Sequence, residues 1–197
     1  MIKLFRKIHQ LQILFLISIS LISCQTENTI NCEIRTSQGS VFVELYPDKA
    51  PITVANFIKY VDSSLYTNSS FFRVCNPENE ADRKIQIEVI QGGFDNEVND
   101  LPPIPLETTK LTGIKHLDGV ISMARLEPNT ATNSFFICIG NQPSLDFGGK
   151  RNPDGQGFAA FGKVTKGMDV VLAIQKMKDT SQYLVKPVII EFIKRVN

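Results

Sequence analysis

Apolar and polar positions alternate over residues 30–36, with Ile30, Cys32 and Ile34 on one face and Asn31, Glu33 and Arg35 on the other. A period of two marks a half-buried strand. Ser37-Gln38-Gly39-Ser40 supplies a turn and residues 41–45 alternate again, so the pair reads as a hairpin. The period then changes. Val54, Phe57, Ile58 and Val61 make one stripe on a helix, with Asp48 and Pro51 before it as start signals. Short apolar segments recur at 71–74, 85–90, 119–124, 135–139 and 158–164, separated by clusters of Gly, Pro and Asn. A second helix carries the stripe Val170, Val171, Ile174 and Met177, and residues 185–196 end the chain as a strand with Pro187 near its start. Many short strands with two helices predict a mostly β domain built on one antiparallel sheet. Closing that sheet on itself would remove its exposed edges. The longest irregular stretch is 142–157, and loops of that length are usually functional or mobile.

Composition narrows the function. The chain has 197 residues, 43% apolar and 21% charged, which suits one globular domain with a sizeable core. With 21 basic and 20 acidic residues there is no cationic surplus to neutralise phosphates, so no nucleic-acid partner is expected. The two histidines, His9 and His116, exclude a His-rich zinc site and leave few ways to build a His-based triad. His116 reads as a hydrogen-bonded structural residue. Four cysteines are too few for a disulfide framework, and Cys32 and Cys138 fall in apolar strands as small buried hydrophobes.

The N-terminal segment reads separately from the domain. Lys3, Arg6, Lys7 and His9 lie in a stretch without acids, and residues 13–22 are then nearly all apolar. That run is well short of the roughly 20 residues a bilayer-spanning helix needs, so a secretory signal is expected. Leu21-Ile22-Ser23-Cys24 resembles the bacterial lipobox. The resemblance implies cleavage before Cys24 and acylation of its thiol, which would hold the mature chain on a membrane. The division expected is a signal peptide over 1–23, a lipidated tether over 24–29 and a folded domain over 30–197. Losing Lys3, Arg6 and Lys7 takes the basic count from 21 to 18 against 20 acids, a net of −2. An Asp after the lipidated Cys would resemble the inner-membrane retention signal of two-membrane bacteria; Gln25 stands there instead, so the resemblance implies the periplasmic side of an outer membrane.

Several short motifs fail on context. Gly155-Gln156-Gly157-Phe158-Ala159-Ala160 matches a dinucleotide-binding fingerprint by letter, but no strand–turn–helix unit surrounds it. Gly148-Gly149-Lys150 lacks the Ser or Thr of a phosphate loop. Asn152, Asp154 and Gln156 resemble a calcium loop only faintly, with Lys163 at its twelfth position.

A longer pattern is specific. It begins with Leu45-Tyr46-Pro47 and Thr53-Val54-Ala55-Asn56-Phe57. Ser70-Phe71-Phe72-Arg73-Val74 and Gln91-Gly92-Gly93 follow. Then come Gly119-Val120-Ile121-Ser122-Met123-Ala124-Arg125 and Ser134-Phe135-Phe136-Ile137. Leu145-Asp146 and Phe161-Gly162-Lys163-Val164 complete the series. Together these closely resemble the cyclophilins, in order, over residues 34–196. The resemblance implies a closed eight-stranded antiparallel barrel capped by two helices, and peptidyl-prolyl cis–trans isomerase activity on proline-containing polypeptides. It calls for no cofactor and no metal, and a monomer is expected. It assigns catalysis to Arg73. Phe136 becomes the floor of a proline pocket, flanked by Val89 and Leu145, with Phe158 and Phe71 also at the substrate. Gln91 would bind substrate backbone and hold Arg73, with Ser134 beside it. Ala124 and Arg125 would pair with the peptide. Phe135, facing away from Phe136, reads as core.

Departures from the family pattern concentrate at the pocket rim. Phe72 stands where His is common, Glu88 where a pocket Phe is usual, Ser134 where Gln precedes Phe-Phe, and Ser144 where many relatives carry an aromatic. The 75–90 connection is longer than usual and rich in Asn and charged residues. These changes keep a second reading open: a proline-peptide-binding or chaperone module with little turnover.

Overall fold

The structure is a computed structural model, and it describes residues 28–94 and 100–196. The expected signal and lipidation site lie outside the described residues. Strands β1 (Ile30–Thr36) and β2 (Gly39–Leu45) form the hairpin, in register from Ile30 opposite Leu45 to Thr36 opposite Gly39. The other ring strands are β3 (Ser69–Cys75), β4 (Val89–Gly93), β5 (Val120–Met123), β6 (Phe135–Cys138), β7 (Ala159–Lys166) and β9 (Tyr183–Val196). A two-residue strand, β8 (Asp179–Thr180), pairs with the start of β9. The order β1-β2-β7-β5-β6-β4-β3-β9 closes because β9 also pairs with β1, and every pairing is antiparallel. Eight strands form the closed barrel.

Helices α1 (Pro51–Asp62) and α3 (Met168–Gln175) cap it, and a single turn, α2 (Thr109–Thr112), is the third helix. Phe57 of α1 reaches the aromatic centre, its ring 5.3 Å from Tyr66, 5.6 Å from Phe135 and 5.3 Å from Phe161. Among the described residues, no helix is long and apolar enough to cross a membrane.

Two local expectations need correction, and the position of Pro187 needs an explanation. Asp48 does not cap α1. The Glu107 carboxylate, 54 positions away from Thr53, accepts from the Ile52 and Thr53 N–H groups at 3.2 and 2.7 Å. A remote acid thus satisfies the helix's free donors, with Pro51 at its first turn. The 85–90 segment becomes strand only at Val89. Pro187 lies inside β9, tolerated because β3 and β9 lose register between Phe71–Val188 and Arg73–Tyr183. Proline, lacking an N–H, fits such an irregularity.

Candidate active site

The same irregularity builds the site. β3 also shifts register against β4 between Phe71 and Arg73. Phe71 and Val74 both belong to the barrel interior, while Phe72 and Arg73 line an external groove. A regular strand would have put Phe71 and Arg73 on one face. Phe71, which the resemblance placed at the substrate, therefore points into the barrel and does not line the groove. It is fully buried, 5.8 Å from Phe135 in an edge-to-face contact. Gly92 follows from this packing, since a Cβ there would lie 2.8 Å from the Phe71 ring.

The groove encloses about 380 Å³. Its apolar half is a cluster separate from the barrel core: Cys75, Ile87, Val89, Phe136, Cys138 and Leu145, with Ala124 and Phe158 packed against it. Phe136 is 4% exposed, with Phe158 standing edge-on at 5.3 Å and the His116 ring stacked at 5.9 Å. Behind it, His116 donates through its backbone N–H and Nδ1 to Asp146 at 3.1 and 2.9 Å, and Nε2 stands 2.9 Å from Ser122 Oγ. Serine, histidine and carboxylate fall in triad order, but Ser122 is fully buried and presents no nucleophile. Asp146 would be pushed up by burial, yet hydrogen bonds from His116 and the charge of Lys115 outweigh that and hold it below the usual carboxylate range. Burial pushes the Cys75 thiol up to about 11 and raises Cys138 as well, so neither offers a thiolate.

The polar half is centred on Arg73. Its Nη1 donates to Gln91 Oε1 at 2.8 Å, while Nε and Nη2 donate to Gln182 Oε1 at 3.0 and 2.6 Å. Gln91 Nε2 donates in turn to Ser134 Oγ at 3.0 Å. Arg73 is thus oriented by neutral partners, its charge undiminished by these contacts. Three of the guanidinium's five N–H donors are used, leaving two. Arg125 is tied down instead. It forks onto Asp154 at 2.8 and 2.9 Å, donates to the Gly157 carbonyl at 2.9 Å and lies 5.4 Å from the Phe158 ring centre. Those contacts brace the loop that carries Phe158. The faint calcium-loop pattern is explained as well, because Asp154 is an ion-pair partner.

Arg73, Gln91, Phe136, Val89, Leu145, Ala124, Arg125 and Phe158 thus line one groove, while Ser134 lines the adjoining hollow that shares Gln91, Ala124 and Arg125 with it. Ser144 contributes through its backbone: its carbonyl accepts from Arg151 N–H at 3.1 Å. Glu88 is not a pocket residue. It lies just before β4 and is absent from the groove lining, which takes Ile87 and Val89 on either side of it; its carboxylate accepts from Gln175 of α3 at 3.2 Å. The sequence reading missed Gln182, Glu80, Arg151 and Tyr183. Tyr183 stacks on Phe72 at 6.3 Å and sits opposite Arg73 in the β3–β9 pairing, a partnership visible only once the barrel is closed.

Comparison with known proteins agrees with this architecture. Residues 31–195 match the family model described as cyclophilin type peptidyl-prolyl cis-trans isomerase/CLD. The chain is 36% identical over 169 residues to the peptidyl-prolyl cis-trans isomerase cyp18 of Streptomyces antibioticus, covering 82% of this chain and 96% of that one. It is 34% identical over 166 residues to the peptidyl-prolyl cis-trans isomerase of Acinetobacter baylyi, covering 83% and 80%. A Cryptosporidium parvum cyclophilin type isomerase superposes with a TM-score of 0.70 at 22% identity, over 86% of this chain and 99% of that chain. The same fold was solved in the presence of the dipeptide Ala-Pro, with a TM-score of 0.69. The chain belongs to the cyclophilin family of peptidyl-prolyl cis–trans isomerases.

Proposed function

We propose that Arg73 catalyses isomerisation of X–Pro bonds whose proline ring is seated over Phe136. The C–N bond of an amide has partial double-bond character, and rotation about it faces a barrier of about 20 kcal/mol. Twisting takes the nitrogen lone pair out of conjugation and makes it an acceptor. A fixed, permanently charged donor aimed at that nitrogen binds the twisted amide better than the planar one, which is what lowers the barrier. No covalent step is required. The observation that carries this reading is Arg73 itself: oriented by Gln91 and Gln182, uncompensated by either, and set at the edge of an apolar pocket floored by Phe136. That the related fold was solved with Ala-Pro supports a proline-containing ligand.

A protease-coupled proline-peptide assay tests the reading. Wild type should accelerate exchange. Arg73→Ala should lose at least 10-fold in turnover, about 1.4 kcal/mol of transition-state binding, while staying folded. A wild-type protein that binds proline peptides without accelerating exchange would favour the chaperone reading. Near-wild-type turnover in Arg73→Ala would remove Arg73 from the mechanism.

The setting proposed is the bacterial envelope, with the enzyme as a monomer assisting exported proteins on the periplasmic side of an outer membrane. The signal-like N-terminus and the lipobox-like Leu21-Ile22-Ser23-Cys24 support it. More than one acyl chain is needed for firm anchoring. Cys24→Ser should release the protein from membranes or leave its signal uncleaved. An unmodified mature N-terminus beyond Cys24, read by mass spectrometry, would refute the anchor.

A further inference from the structure

The turn joining β8 to β9 is built in a costly way. Thr180 pairs with Tyr183, leaving Ser181 and Gln182 as a two-residue loop with φ of +51° and +77°. Such loops favour Asn and Gly, because other L-residues at positive φ are strained. Gln182 is nevertheless held there, only 7% exposed, with all its polar groups engaged. Its N–H donates to Asp179 Oδ1 at 2.9 Å and its carbonyl accepts from Val74 N–H at 2.8 Å. Its side-chain Oε1 takes the two Arg73 donors, and its Nε2 donates to Glu80.

Glu80 comes from the long 75–90 connection. Asn76 Oδ1 accepts from the N–H groups of Glu78 and Asn79 at 3.0 and 2.9 Å, and the Asn76 carbonyl accepts from Glu80 N–H at 3.0 Å. That tight turn drops the Glu80 side chain inward, to full burial. There Arg151 forks onto it, Arg83 approaches to 3.2 Å and Ile87 N–H donates at 3.3 Å. A buried carboxylate can only accept, so it fixes which end of the Gln182 amide faces it. The amide nitrogen must turn to Glu80, and the oxygen is left for Arg73. The reverse orientation would set oxygen against carboxylate and N–H against guanidinium.

We propose that Gln182, oriented by Glu80, is a positioning residue that fixes the Arg73 guanidinium for isomerisation. The proposal rests on the assignment of Arg73 above. Gln182 holds two nitrogens from one side and Gln91 holds the third from the other, which sets the plane of the group. Because the amide is neutral, it conveys order from a buried carboxylate without placing that negative charge against Arg73. The strained turn is tolerated because a glycine, comfortable at that φ, has no side chain to reach the arginine.

That contrast supplies the test. Gln182→Gly relieves the backbone and removes only the side-chain contacts. Turnover should fall about 10-fold, with KM within about twofold and the chain folded by circular dichroism. Gln182→Met, which keeps the side-chain length without its polar atoms, should show the same loss and decides the matter if the glycine variant does not fold. In Arg73→Ala, adding Gln182→Gly should slow the enzyme no further than about twofold, since a residue acting through Arg73 has nothing left to act on. Three results separate the possibilities. Wild-type turnover in Arg73→Ala defeats the arginine assignment and this proposal with it. A slow Arg73→Ala with wild-type turnover in the Gln182 variants defeats the proposal alone. Losses that multiply in the double variant also overturn it, because Gln182 would then act on the fold and not on the arginine.

Discussion

Phe135 and Phe136 are adjacent, 0% and 4% exposed, and they belong to different parts of the molecule. Phe135 points into the barrel, where edge-to-face contacts join it to Phe57, Tyr66 and Phe71 at 5.6–5.8 Å. Phe136 points outward into a smaller cluster that holds the groove wall. Phe71 and Phe72 divide the same way. Burial therefore does not separate core from site in this protein; the side of the barrel wall does. The interior is held by aromatic packing among many partners. The outer cluster leans on buried polar groups: His116, Asp146 and Ser122 behind Phe136, and Glu80 with Arg151 beside Arg73.

The difference is sharpest in paired truncations. Phe135→Ala should cost about 3–5 kcal/mol of stability, read from urea unfolding, because its neighbours are too constrained to fill the cavity. Phe136→Ala should cost less, about 1–3 kcal/mol, since the space opens to the groove. Its effect should fall on function instead, with at least a 10-fold loss of turnover in folded protein. Equal destabilisation by both, with Phe136→Ala retaining turnover, would abolish the distinction.

Much of this was legible in the sequence. Alternation marked β1 and β2, and helical stripes marked α1 and α3, because burial on one face imposes those periods directly. Arg73, Gln91 and Phe136 were legible through resemblance to a family. What failed did so where the chain departs from regular geometry. The β3 bulge sent Phe71 inward, and Glu88, in the irregular segment before β4, meets Gln175 of α3 instead of the groove. Gln182 was invisible for a different reason. Its partners Arg73 and Glu80 lie 109 and 102 positions away, and Ser181-Gln182 carries no turn signature. A buried polar link of that kind exists only after the barrel has closed.

Acid should expose the same contrast more gently. Burial alone would raise the Glu80 and Asp146 carboxyls, but hydrogen bonds and charge from Arg151 and Arg83 in one case, and from His116 and Lys115 in the other, leave both lowered. A carboxyl lowered in the folded state stabilises fully above its unfolded value of about 4, and that contribution disappears as pH falls through the folded value. Stability of the wild type should therefore be flat near neutrality and decline below about pH 4, by at most about 1.4 kcal/mol per pH unit for each proton taken up. The interior aromatics do not titrate in this range; Glu33, held low by its hydrogen bond from Ser40 on the β1–β2 hairpin, and Asp154, held low by Arg125, add to the loss, so the share of the groove wall is isolated by removing Glu80. Glu80→Gln should be less stable than wild type at pH 7, because it leaves Arg151 without its ion-pair partner. Its urea midpoint should also fall less steeply between pH 4 and pH 2. An acid slope unchanged by Glu80→Gln would mean that the groove wall does not depend on this carboxylate, and that the outer cluster is held as the interior is, by apolar packing.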